Sequence, residues 1–157
     1  MDWIYYFAYS LHLDAESLER LCIPVEEEAH GILSNYRLVF NVLEDEYFRF
    51  ERRGLANIVP SAGGLVEGMI YRLRECDLPR LDEDAGVLSL KYYRKLIRVR
   101  CHRGLNYTAH AYAAWPDKTS GGLLPRQDYL KQLIAAARRH GFSPSFRHWL
   151  ESHPAVR

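Results

Sequence analysis

The chain has 157 residues, with 21 lysines and arginines against 20 aspartates and glutamates, and 48% of its residues are hydrophobic. That length supports one domain spanning residues 1–157 with a substantial core, and the composition is that of an ordinary globular protein. A formal net charge of +1 exerts no global pull toward nucleic acid or a membrane surface, so neither partner is expected.

In chain order, the first element is "WIYYFAY". From Trp3 to Tyr9 it is dense in aromatic and β-branched residues and reads as a buried strand. A turn, "SLHL", follows without any glycine, and Asp14 then stands as the N-cap of a helix whose apolar positions are Leu18, Leu21 and Cys22. "HGILSNYRLVFNVL" reads as a strand, with Leu33, Tyr36, Leu38, Val39 and Phe40 available for a core. "RRGLANIVP" and "LVEGMIYRL" flank the small residues "SAGG", which predicts a hairpin.

"CDLPRLDEDAGV" has the marks of a short helix: Asp77 to cap it, Pro79 in its first turn and Gly86 to end it. "SLKYYRKLIRV" and "YTAHAYAAW" are two further strands around "CHRGLN". The clearest helix is "RQDYLKQLIAAARRHGF", with Tyr129, Leu130, Leu133, Ile134 and Ala137 on one face and Gly141 as its stop; the amphipathic "SPSFRHWLESH" follows. Strands and helices mixed without βαβ alternation predict an α+β fold.

Charge is unevenly placed. Acidic residues gather early (Glu26, Glu27, Glu28, Glu44, Asp45, Glu46) and basic ones dominate from Lys91 onward. These are expected to be solvated faces, and a protein-docking role for them is the alternative. Cys22, Cys76 and Cys101 are odd in number and contain no CxxC pair, which predicts reduced thiols in a cytoplasmic protein rather than a disulfide framework. The N-terminus lacks the basic region of a secretory signal, and no apolar run approaches membrane-spanning length. His102 and His110 fall on different strands without ligand spacing, so no metal site is expected.

The ordered set of an aromatic strand ending "FAY", a "YRLVF" strand, "GLANIVPSAGGLVEGMIYRL", "LDEDAG" followed by a Tyr, and a late helix ending "AARRHGF" resembles the gamma-glutamylcyclotransferase family over essentially the whole chain. The resemblance implies a small mixed β-barrel flanked by helices. It also implies conversion of γ-glutamyl amines or amino acids to 5-oxoproline without metal or organic cofactor. In that reaction the substrate's own α-amine attacks its γ-carbonyl, so the nucleophile is already tethered. A carboxylate moves the proton from the ammonium to the leaving amine, and backbone N–H groups of a loop hold the α-carboxylate or the developing oxyanion.

The family supplies that loop as Tyr-Gly-Ser-Asn-Leu after the first strand, and the acid as a Glu just before a Gly. Tyr9 and Leu13 match the loop, but Ser10, Leu11 and His12 stand where the family has Gly, Ser and Asn. Leu81, Asp82, Glu83 and Gly86 match around the acid, but Ala85 stands at the catalytic Glu position, where a methyl group cannot carry a proton. Read without the resemblance, Ala85 is a core residue on the stripe of Leu78 and Leu81, His12 is a turn residue satisfied by backbone, and Glu83 and Asp84 point to solvent.

The resemblance implies a ligand-binding set of Tyr9, Ser10, Leu11, His12, Leu13 and Tyr92, and an active member would use Glu67, His12 or a neighbouring carboxylate in place of the missing acid. Three functions follow from this. The leading one is a diverged family member that keeps a pocket for a γ-glutamyl-like or other small carboxylate ligand but lacks the usual acid/base. The others are an active cyclotransferase with a relocated acid, and a structural or regulatory subunit that docks to another protein.

Overall fold

Among the described residues, five strands close into a barrel: β1 (Trp3–Ala8), β2 (Glu27–Leu43), β3 (Gly54–Arg74), β4 (Tyr92–Cys101) and β5 (Asn106–Ala114). The structure, a computed structural model, describes residues 2–45 and 52–157, so Glu46 of the acidic group lies outside them. The barrel order is β1-β3-β2-β4-β5. Its ladders are antiparallel except where β1 meets β5 in parallel, at Tyr6 and His110. Four helices flank it: α1 (Ala15–Glu19), α2 (Leu78–Ala85), α3 (Gln127–Arg139) and α4 (Pro144–Ser152). This is the α+β class that the strand and helix pattern predicts, in the form of the mixed barrel with flanking helices that the resemblance implies.

The core follows from strand alternation and from one pair of small residues. Phe7, Leu33, Val66, Tyr71, Leu73 and Val99 are fully buried. Gly31 and Gly68 face each other across β2 and β3. A Cβ on Gly68 would come within 2.3 Å of the Ala8 carbonyl oxygen and 2.8 Å of the Phe7 ring. A side chain there would evict Phe7 from the barrel interior, so the bare backbone is a packing requirement.

The predicted hairpin does not form. Residues 54–74 run as one strand, β3, paired along nearly its whole length with β2. The register steps from Ser34 opposite Leu65 to Tyr36 opposite Pro60, so Asn35 alone spans residues 61–64. Asn35 takes the left-handed conformation, with φ 64, and its side-chain carbonyl accepts a hydrogen bond from the Gly63 N–H at 3.1 Å. The small residues of "SAGG" therefore make a bulge that bends a long strand, which small residues permit as readily as a turn.

The helix ends also depart from expectation in their chemistry. α1 is little more than one turn, with Leu21 and Cys22 beyond it. Asp14 sits at its N-cap without capping, because its carboxylate is taken by Arg139 and by His140 Nε2 at 3.1 Å. Asp77 likewise makes no cap bond and pairs with Arg74 Nε at 2.9 Å. Opposite charge outcompetes capping at both sites. The helix stops fall as predicted: Gly86 takes φ 91 at the end of α2, and Gly141 takes φ 66 just after the His140 C-cap of α3. On α3, Leu130, Leu133, Ala136 and Ala137 are buried while Tyr129 and Ile134 are half-buried.

Candidate functional site

The turn after β1 and the C-terminal end of α2 meet over one cavity of about 230 Å³. On α2, Leu78, Leu81 and Ala85 form a buried stripe against the barrel, as expected of residues one and two turns apart. The helix must stop there, and Gly86 reverses the chain at a φ that an L side chain rarely adopts. Ala85 is thereby placed in the wall shared with Ser10 and Leu11, although the three lie far apart in sequence.

Five tyrosines complete most of the wall: Tyr6, Tyr9, Tyr92, Tyr112 and Tyr129. Their hydroxyls are committed to the protein. Tyr9 donates to the Tyr112 carbonyl at 2.6 Å, Tyr92 to the Ala56 carbonyl at 2.8 Å, and Tyr112 to Asp82 Oδ1 at 2.5 Å. The Tyr129 hydroxyl accepts from the Ala56 N–H at 3.1 Å, and Tyr6 bonds His12 Nδ1 at 2.8 Å. Burial pushes all five phenols above their ordinary range, so they are neutral rings that shape the space. Tyr92 therefore contributes its ring to a ligand, since its phenolic hydrogen already belongs to the backbone. Leu11 is 46% exposed and leaves the cavity open.

Two charged side chains reach this wall, Lys91 and Asp84. The Lys91 ammonium donates to the Glu44 carbonyl at 3.1 Å, and among the described residues its two further donors are left to turn toward a ligand. Asp84 is exposed, as expected, and also bonds the turn after β1. Its side chain is 40% exposed, and its Oδ2 lies 2.6 Å from His12 Nε2. His12 is held in the left-handed region at φ 63, where the family's Asn would be more comfortable. That backbone turns its ring inward, with its side chain 3% exposed. Burial lowers the His12 pKa against the opposing effect of Asp84, so the ring is neutral near pH 7. Against a carboxylate, Nε2 then carries the proton and donates to Asp84, and Nδ1 accepts from Tyr6.

Of the predicted ligand set, Tyr9, Ser10, Leu11 and Tyr92 share the cavity with Ala85. His12 stands behind the wall, and Leu13 is packed into the core, so neither lines it. Glu67 belongs to a different place. Its carboxylate accepts from His30 Nε2 at 2.8 Å, from the Ser143 N–H at 2.9 Å and from the Ser143 hydroxyl. It lines a groove with Phe146 and Trp149 and not the cavity of Ala85. Burial raises its pKa, but the bonds from His30 and Ser143 outweigh burial and hold it below the ordinary value. Ser143 also caps α4, so Glu67 is a joint between barrel and helix.

Tyr6, Asp84, Lys91, Tyr112 and Tyr129 are wall residues that sequence reasoning did not single out. The signal for Asp84 was its place beside the acid position, across from a histidine in a turn that lacks glycine. Among the described residues no group of three or more His, Cys, Asp or Glu side chains gathers as metal ligands, and no helix is long and apolar enough to cross a membrane.

A model of the AIG2-like family matches residues 65–150, a span that includes position 85 but not the turn after β1. The chain is 24% identical over 147 residues to a gamma-glutamylcyclotransferase of Mus musculus, covering 94% of this chain and 77% of the mouse protein. It is 23% identical to the Homo sapiens gamma-glutamylcyclotransferase over the same shares of each chain. A solved structure of a gamma-glutamyl cyclotransferase superposes with a TM-score of 0.82 at 22% identity, covering 98% of this chain and 89% of that one, which is a likeness of fold.

Proposed function

The chain belongs to the AIG2-like family, and from that premise we propose that its cavity holds a γ-glutamyl-like or other small carboxylate ligand while ordinary cyclotransferase turnover is largely lost. The observation that carries this reading is the pairing of an open cavity with a methyl group in its wall. Ala85 occupies the position where the resemblance places the acid, yet about 230 Å³ of space remains beside it. Loss of the acid has not been accompanied by filling of the pocket.

Two further features support a small carboxylate as the ligand. Lys91 supplies the wall's positive charge, and an ammonium with free donors suits an anionic end group. The tyrosine rings offer flat apolar surface for a short carbon chain between two polar ends. The Gly-Ser-Asn loop of the family has become Ser10, Leu11 and His12 here. With Leu11 turned outward, carboxylate capture falls more to Lys91 than to loop N–H groups. The chemistry of such a site needs only proton transfers and calls for no organic cofactor or metal. The unpaired thiols of Cys22, Cys76 and Cys101 support a reducing compartment, which makes the cytoplasm its place.

The test has two readouts on one sample. Isothermal titration with γ-glutamyl-alanine, and with other γ-glutamyl amino acids and amines, should show saturable binding. 5-oxoproline release from the same compounds should be very slow. Absence of binding across the panel would remove the ligand from the account and leave the docking-subunit reading in its place.

A further inference from the structure

Resting on that reading of the cavity, we infer that Asp84, positioned by His12, is the proton carrier of the site in place of the side chain missing at residue 85. Asp84 lines the same cavity as Ala85, one residue earlier on α2. Its Oδ2 is taken by His12 Nε2 at 2.6 Å, and its Oδ1 has no hydrogen-bond partner among the described residues. The carboxylate is therefore anchored by one oxygen and presents the other.

The anchor is built at an energetic cost, which argues against an incidental contact. A side chain in the left-handed region is crowded against the following carbonyl oxygen, and His12 adopts that conformation at φ 63 with its ring buried. What that backbone achieves is a ring bonded at both nitrogens, to Tyr6 at 2.8 Å and to Asp84 at 2.6 Å. Tyr6 comes from β1, His12 from the turn and Asp84 from α2, so three elements converge on one oriented carboxylate. His12 is a positioning residue, since it lies behind the wall. The charged groups facing this pair are Lys91 across the cavity, the Asp82, Arg94 and His110 cluster beyond Tyr112, and Asp14, Arg20 and Arg139, which share a neighbouring cavity with His12.

The step balances without any co-reactant. The α-ammonium of a γ-glutamyl ligand gives a proton to Asp84, and the freed amine attacks the γ-carbonyl carbon, forming the ring C–N bond. Collapse of the tetrahedral intermediate breaks the bond to the leaving nitrogen. Of the three ammonium protons, one stays on the lactam nitrogen and two pass, one at a time through Asp84, to the leaving nitrogen, which departs as an ammonium. Asp84 is regenerated. A shift of one residue turns a side chain about 100° around the helix axis, so Asp84 is offset from the position a residue-85 carboxylate would take. The rate is accordingly slow but real.

The experiment is long-incubation 5-oxoproline release from γ-glutamyl-alanine by the natural protein, Asp84→Asn and His12→Asn, with binding of γ-glutamyl-alanine by titration as a check that each pocket is folded. Release by the natural protein should exceed the protein-free control. Asp84→Asn should lose at least about tenfold, since a positioned acid–base group typically supplies 10²–10⁴ in rate. His12→Asn, which suits the left-handed backbone, should lower kcat with little change in KM and remove the acid limb contributed by a group titrating below 6.5. Binding without release above the control overturns this inference and leaves the ligand reading standing, as does release unchanged in Asp84→Asn. Loss of binding by the natural protein overturns both.

Discussion

His12 Nε2 and Asp84 Oδ2 lie 2.6 Å apart across 72 positions of sequence. The pair joins the turn after the first strand to the end of α2, the two segments that carry the departures from the motifs the resemblance implies. A methyl group stands at residue 85, where the resemblance implies a carboxylate, and the imidazole of residue 12 bonds the carboxylate of residue 84.

The buried imidazole gives the fold a pH signature. Burial places the folded-state pKa of His12 below its ordinary 6.5. As pH falls, the unfolded chain takes up this proton first, so His12 favours the folded state above 6.5 and that advantage is lost as pH drops through the folded value. His110 acts in the same sense, shifted down by burial and by Arg94. The melting temperature is expected to decline below about pH 6.5, and His12→Asn to decline less steeply, with His110 supplying the remaining slope. A steeper decline in His12→Asn contradicts the assignment of a neutral buried ring.

Glu67 separates structure from chemistry. Removing its charge leaves His30 and the N-terminus of α4 with a weakened acceptor in a site where Glu67 is only 8% exposed. Glu67→Gln is expected to lose about 1–3 kcal/mol of stability, the usual penalty for a buried partner left unsatisfied. γ-Glutamyl-alanine binding and 5-oxoproline release should be unchanged. A selective loss of release, with stability intact, would make Glu67 the relocated acid after all.

Lys91 is expected to read the ligand's carboxylate. Lys91→Met should weaken γ-glutamyl-alanine binding by about tenfold or more, in line with the roughly 1.5–3 kcal/mol of a hydrogen bond to a charged group. The carboxamide analogue should bind the natural protein and Lys91→Met alike. Equal losses for both ligands, measured by titration, would assign Lys91 a structural role through Glu44 instead.

The parts of the fold that follow hydrophobic period were legible in the sequence: the aromatic first strand, the stripe of α3, and the Gly86 stop that fixes where α2 ends. The bulge at residues 61–64 was not. Small residues signal backbone freedom without saying whether the chain reverses or merely bends, and the choice lies in Asn35 on the facing strand. The missed caps have a similar cause, since Arg139 and Arg74 compete for Asp14 and Asp77 through contacts that only the folded chain creates. At the site, matching motif positions located Tyr9, Ser10, Leu11, Ala85 and Tyr92. They missed Asp84 because helical periodicity gives the face of α2 and not the reach of a histidine arriving from a distant turn. For Glu67, alternation left the direction open, and Ser143 of a later segment decided it.

What residue 85 lacks sets the rate of the site. The measurement is 5-oxoproline release from γ-glutamyl-alanine by the natural protein beside the variant carrying Ala85→Glu, Ser10→Gly, Leu11→Ser and His12→Asn. The restored variant supplies the carboxylate and reopens the loop, and it is expected to exceed the natural protein by about a hundred- to ten-thousand-fold. Ala85→Glu alone should gain less, because the loop remains unsuited to an oxyanion. Robust turnover by the natural protein, equal to that of the restored variant and indifferent to Asp84→Asn, would contradict it.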